Sequence, residues 1–201
     1  MLTVRNLWLV AEIIALLAVY GLYALVFIKI RSRASTERVA APKTIRIGII
    51  LQSLAYSVAW AFRRRTLVLF GTVNPPAAIG MMVLSLAPAL AGVWLTARAK
   101  KALGPQWGLA ARTVEGHKLI VSGPYAYCRH PIYLGMAGLL LGTIVGLSSI
   151  AGAAGAVILF GAGTVIRIRT EDSLLRDAFG SDFEAYRRRV PAFLPLPGRK
   201  P

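Results

Sequence analysis

From Leu7 to Ile28 the chain runs 22 residues with one charged side chain, Glu12. A stretch of that length crosses a hydrocarbon core of about 30 Å as an α-helix. Four more apolar segments follow: Ile45–Phe62, Ala77–Ala97, Ile132–Leu147 and Ile150–Ile166. With 56% hydrophobic residues and a mean hydropathy of +0.61, the 201-residue chain is too apolar for an ordinary soluble domain. The expected fold is an all-α integral membrane protein of about five transmembrane helices. The first segment contains Glu12 and has no small-residue cleavage site before Lys29, so it is read as a retained helix, not a signal peptide. The second segment is marginal in length. The last two are short, and only Ser148 and Ser149 separate them, which predicts a tight helical hairpin.

Gly138, Gly142 and Gly146 recur at four-residue spacing, leaving one face of the fourth helix without side chains and open to close approach by a neighbour. After the hairpin, Glu171 to Phe183 reads as an amphipathic helix with Leu174, Leu175, Ala178 and Phe179 on its apolar face. Pro191, Pro195 and Pro197 bar helix continuation and predict an extended terminus.

The net charge of +16 suits membrane headgroups better than nucleic acid, because basic residues flank membrane helices on the cytoplasmic side. With the N-terminus outside, 20 of the 24 Lys and Arg residues fall in the inside segments 29–46, 98–129 and 167–201. The triplet Arg63–Arg65 runs against that orientation: either it binds headgroups on the far side, or the second segment does not fully cross. Cys128 is the sole cysteine, so no intrachain disulfide forms, and no Cys/His cluster has zinc spacing. The short chain, rich in Ala and Gly, points to a bacterial plasma membrane.

Chemistry concentrates on either side of the predicted hairpin. Before it stands Gly123-Pro-Tyr-Ala-Tyr-Cys-Arg-His-Pro-Ile-Tyr133; after it stand Arg167, Glu171 and Asp172. Polar groups at a membrane edge are costly without a partner or a purpose. A two-helix hairpin returns the chain to its starting side, so His130 and Glu171 are expected to lie close together. Arg167 and Glu171 share one helix face if the fifth helix continues through them. A carboxylate takes an ammonium, and an arginine holds a carboxylate or phosphate at two points. Pro131 suits the first turn of a helix, whose free amides can face an anionic group. Tyr125, Tyr127, Tyr133 and Trp107 serve equally as interfacial anchors or as aromatic faces for a sulfonium. His117 reads as a solvated loop residue or a ligand contact, and Cys128 as inert.

Taken in order, these residues resemble the isoprenylcysteine carboxyl methyltransferases and their phospholipid N-methyltransferase relatives. The resemblance starts at Leu103-Gly104 and Trp107 and passes through His117 to Tyr125, Arg129 to Tyr133 and Glu171-Asp172. It ends with Phe179-Gly180, Tyr186 and Arg189-Val-Pro191. It covers roughly the C-terminal half and implies residues 98–201 as a methyltransferase core with a cytoplasmic cofactor pocket; residues 1–97, read as N-terminal transmembrane helices from their apolar runs, match only in character. It further implies an S-adenosylmethionine-dependent membrane methyltransferase without a Rossmann domain; no strand-borne Gly-x-Gly-x-x-Gly occurs here. The implied donor contacts are His117, Lys118, Leu119, Ile120, Tyr125, His130, Pro131, Ile132, Tyr133, Glu171 and Asp172. Arg167 is implied to hold the prenylcysteine carboxylate, with Arg167 and Glu171 as the catalytic pair. Two departures stand out: Glu171-Asp172 replaces the usual Glu-Glu pair, and Ala110 stands where the eukaryotic enzymes have a polar donor contact. The acceptor is a lipidic or small apolar molecule, with an isoprenylcysteine-type carboxylate and a phospholipid amine both open. Two other readings compete: an NADPH-dependent membrane reductase of the sterol type, and a non-catalytic small membrane protein.

Overall fold

The computed structural model describes residues 4–29, 42–64, 75–104 and 118–193. Five helices account for most of them: α1 (Val4–Lys29), α2 (Lys43–Ala61), α3 (Pro75–Leu103), α4 (Pro131–Leu147) and α5 (Ile150–Arg189). A 3-10 turn at Gly123–Ala126 precedes α4. The protein is an all-α integral membrane protein: α1, α2, α3 and α5 are long and apolar enough to cross a membrane, and α4 is a shorter apolar helix of 17 residues.

Two expectations need correction. The fifth helix does not stop at Ile166; α5 (40 residues to Arg189) stays helical from Ile150 past Glu171 as far as a kink at Gly180. No Gly or Pro separates Ile166 from Glu171, and leaving an apolar environment does not by itself end a helix. The break comes instead at Gly180, whose φ of 49° is a left-handed conformation that suits glycine. The apolar face is also narrower than expected, because Ala178 is exposed while Leu175 and Phe179 pack against Phe183, Tyr186 and Val190.

The tight hairpin is the second correction. Ser148 and Ser149 join α4 to α5, but α4 lies along α3 and α5 along α2. Glycine explains the pairing. A Cβ at Gly138 would stand 2.7 Å from Pro88 O, and one at Gly142 would collide with Ser85 O, so the bare face of α4 fits directly against the α3 backbone. Gly92 returns the contact, since a Cβ there would strike Gly135 O. Between α2 and α5 the same role falls to Gly48 and Gly163. In lipid, where apolar surface gains little by leaving its surroundings, this close packing is a main source of helix association. Ser85 Oγ strengthens the α3–α4 contact by donating to Gly142 O at 2.9 Å. An apolar cluster of Ala55, Ala59, Leu140, Ala156 and Phe160 then joins α4 to the α2–α5 pair.

The helices alternate in direction. At one end Lys100 Nζ of α3 donates to Val26 O of α1 at 3.0 Å, and Thr170 of α5 meets Thr44 of α2 at 3.2 Å. At the other end Ser148 Oγ donates to Ala59 O at 2.9 Å. Thus α2 runs beside α5 over its full length. The basic triplet has a local explanation too. Arg64 N–H donates to Leu147 O at 2.7 Å and its guanidinium to Val145 O, so this arginine caps the C-terminal carbonyls of α4. Arg65 lies outside the described residues.

Gly92→Val is expected to push α3 and α4 apart and cost about 1–3 kcal/mol or more of stability. Gly161→Ala should leave it unchanged or slightly higher, because a Cβ there meets nothing within 4 Å. Thermal unfolding in detergent distinguishes the two; equal melting points would contradict the proposed packing.

Candidate active site

The start of α4 is held by the chain that follows α5. Arg129 N–H donates to Pro191 O at 2.9 Å and His130 N–H to Ala192 O at 3.0 Å. The Arg129 guanidinium donates to Val190 O at 2.6 Å, and Tyr186 Oη donates to Tyr125 O at 2.7 Å. Pro191 therefore ends the helix and turns the chain into a strap across the 3-10 turn. Pro131 occupies the first turn of α4 as expected, with His130 as the residue before it. The amides of Tyr133 and Leu134 are not open to an anion, because both donate to His130 O.

Against this strap the side chains of α4 and α5 converge. His130 is buried, with Nε2 2.9 Å from Asp172 Oδ1 and Nδ1 3.4 Å from Glu171 Oε2. Arg129 Nη2 holds the other Asp172 oxygen at 2.7 Å. Tyr133 Oη donates to Glu171 Oε1, and its ring stacks on His130 with centroids 5.6 Å apart. Arg167 and Glu171, one turn apart on α5, approach to 3.7 Å. The Arg167 guanidinium carbon also sits 4.6 Å from the Tyr133 ring centroid, so this aromatic face receives a cation. The predicted meeting of His130, Tyr133, Arg167, Glu171 and Asp172 is thus present in the fold.

Other predicted residues take different positions. Tyr125 is buried and Tyr127 exposed, so of these two only Tyr127 lies at the surface. Leu119 packs against the Phe183–Tyr186–Val190 cluster, Lys118 is exposed, and Ile120 and Ile132 are half-buried. Pro131 is buried on the side toward α3. His117, Trp107 and Ala110 lie outside the described residues.

Gln52 on α2 is a participant the sequence reading missed. Its Oε1 accepts from Arg167 Nη1 at 3.0 Å while its Nε2 donates to Thr164 at 2.9 Å. The signal was there: one glutamine in an apolar run needs a polar partner. Arg129 and Tyr186, which position the strap, were also passed over as site residues.

Burial opposes charge on His130, but its hydrogen bonds to Asp172 and Glu171 outweigh it and raise the imidazole above its ordinary value. Asp172 shows the complement: burial raises it, yet His130 and Arg129 bring its carboxyl below the usual value. Burial pushes the Cys128 thiol up to about 11, which agrees with an inert thiol. The Tyr125 phenol is likewise raised, by burial first and then by the charge of Glu171. Chemically, the cluster offers carboxylates for an ammonium, an aromatic face for a cation and a buried guanidinium for an anion.

Residues 81–177 match the model of the isoprenylcysteine carboxyl methyltransferase family. Over those residues the chain is similar to the isoprenylcysteine carboxyl methyltransferases. Among its relatives is the protein-S-isoprenylcysteine O-methyltransferase of Schizosaccharomyces pombe, 34% identical over 88 residues, which are 44% of this chain and 37% of that protein. The mouse enzyme of the same name is 38% identical over 85 residues, covering 41% of this chain and 29% of its own length. A cobalt-zinc-cadmium resistance protein of Cupriavidus metallidurans is 38% identical over 96 residues, 46% of this chain and 43% of that protein. The chain therefore matches less than half the length of these relatives. The matched region starts within α3 and ends within α5, so it contains every residue of the cluster except Gln52 and the strap.

The shift at His130 has a definite sign. Its folded value lies above the ordinary 6.5, so its pairing stabilises fully below that pH and is lost as pH rises through the folded value. Asp172 behaves oppositely: its contribution is present above 3.8 and lost as pH falls through its lowered value. Melting temperature measured from pH 6 upward should fall for the wild type and fall less for His130→Gln. Parallel curves would contradict the upward shift of His130.

Proposed function

We propose that this chain is an S-adenosylmethionine-dependent membrane methyltransferase acting on a lipidic or small apolar acceptor. The observation that carries this reading is the convergence of His130, Tyr133, Arg167, Glu171 and Asp172 at one end of the bundle, within the region that matches the family. The residues present suit such a donor, having carboxylates for its ammonium and the Tyr133 ring, which already receives a cation. When bound, the donor supplies an electrophilic methyl group on a sulfonium.

The work left to the protein is to orient the acceptor behind that methyl group and keep it there. Arg167 is buried and fixed by Gln52 and Glu171, so its guanidinium is pre-set to hold an anion. A carboxylate acceptor is favoured over an amine. An amine must first lose a proton, and both His130 ring nitrogens already face carboxylates while Asp172 is engaged on both oxygens. Glu171 also meets Tyr133, His130 and Arg167, which leaves it poorly placed as a free base. A carboxylate acceptor is already ionised and needs none. The excess of basic residues at this end supports a cytoplasmic site.

Labelled-methyl transfer in liposomes tests the proposal. The wild type should label an S-prenylated cysteine with a free carboxylate, and Arg167→Lys should lower the rate about 10–100-fold, the scale of a charged hydrogen bond. Arg176→Gln, at an exposed pair with Glu184, should leave the rate unchanged. Absence of transfer to any lipidic or apolar acceptor, or full activity in Arg167→Lys, would contradict the assignment.

A further inference from the structure

A concavity lies beside the 3-10 turn, between the C-terminal part of α3 and the start of α4. It encloses about 570 Å³. Trp94, Leu95 and Leu134 form its apolar part, and Arg98, Lys101 and Tyr127 its polar part. Among the described residues that line it there is no acid. The two cations stand one turn apart on α3, where the apolar span gives way to the basic end of the helix. Trp94 is 62% exposed and Tyr127 64% exposed, and the Arg98 guanidinium lies 5.7 Å from the Trp94 ring. An amphipathic aromatic at each side, cations at the polar end and aliphatic side chains toward the bundle form a surface that grades from charged to apolar over one short distance.

We propose that this groove binds one anionic phospholipid, its phosphate on Arg98 and Lys101 and the start of its acyl chain along Trp94 and Leu134. Charge complementarity and the apolar bed select this occupant over a soluble phosphate, which would leave the apolar wall unmatched, and over a zwitterionic lipid, which would leave the two cations uncompensated. The site is separate from the polar cluster; of the residues proposed for the donor it uses only Pro131. Its other wall is the turn carrying Gly123, Pro124 and Cys128, so a bound lipid braces the segment that carries Tyr125. The proposal does not depend on methyl transfer.

Native mass spectrometry of protein released from nanodiscs of equal phosphatidylglycerol and phosphatidylcholine tests it. The wild type should retain one phosphatidylglycerol per chain. The double variant Arg98→Gln/Lys101→Gln should retain it about 10–30-fold less well, the scale of two basic contacts with an anionic surface. A control, Arg187→Gln/Arg188→Gln, removes two exposed cations elsewhere and should retain the lipid. Leu134→Trp fills the groove while keeping both cations and should also release the lipid. Equal retention by the wild type and Arg98→Gln/Lys101→Gln would overturn the proposal. So would equal retention of the two lipids, or displacement of the lipid by inorganic phosphate. Donor binding can be measured on the same samples, so failure here is distinguishable from failure of the methyltransferase reading.

Discussion

Asp172 is the joint on which the site depends. One carboxylate oxygen holds Arg129 and the other holds His130, so a single side chain on α5 fixes two successive residues at the start of α4. The bundle is built from two glycine-packed pairs, α3 with α4 and α2 with α5. At the end where the site lies, this polar junction ties one pair to the other. Removing one member would leave the others buried and uncompensated, a far larger loss than the net worth of any single pair. The Val190–Ala192 strap completes the joint by taking up the backbone donors of Arg129 and His130.

The arrangement explains why so many charges occur beside an apolar bundle. Arg129, His130, Arg167, Glu171 and Asp172 are shielded from water, and each is engaged with another member of the group. Charges fixed in that way act on a ligand without first having to reorganise, which favours electrostatic positioning over proton transfer. That is the physical basis for preferring a carboxylate acceptor in the proposed reaction.

Much of this was legible from the residues themselves. The apolar runs gave five helices, and the spacing of Arg167 and Glu171 placed them on one face. The return of the chain after Ser148-Ser149 brought His130 to the acidic pair. Three things were hidden. Apolarity marks where a helix meets lipid, not where its hydrogen bonding ends, so α5 ran on past Ile166. Gly138, Gly142 and Gly146 announced a close neighbour but could not name it, because choosing α3 required the matching surface of Ser85, Pro88 and Gly92. Gln52 was visible as a lone amide, yet its pairing with Arg167 across 115 positions depends on the alignment of α2 with α5.

Calorimetry on the detergent-purified protein tests the central claim most directly, with S-adenosylmethionine, S-adenosylhomocysteine and NADPH titrated in turn. The account predicts saturable binding of the first two and none of NADPH. A folded protein that binds neither sulfur compound, or that binds NADPH in their place, would contradict it.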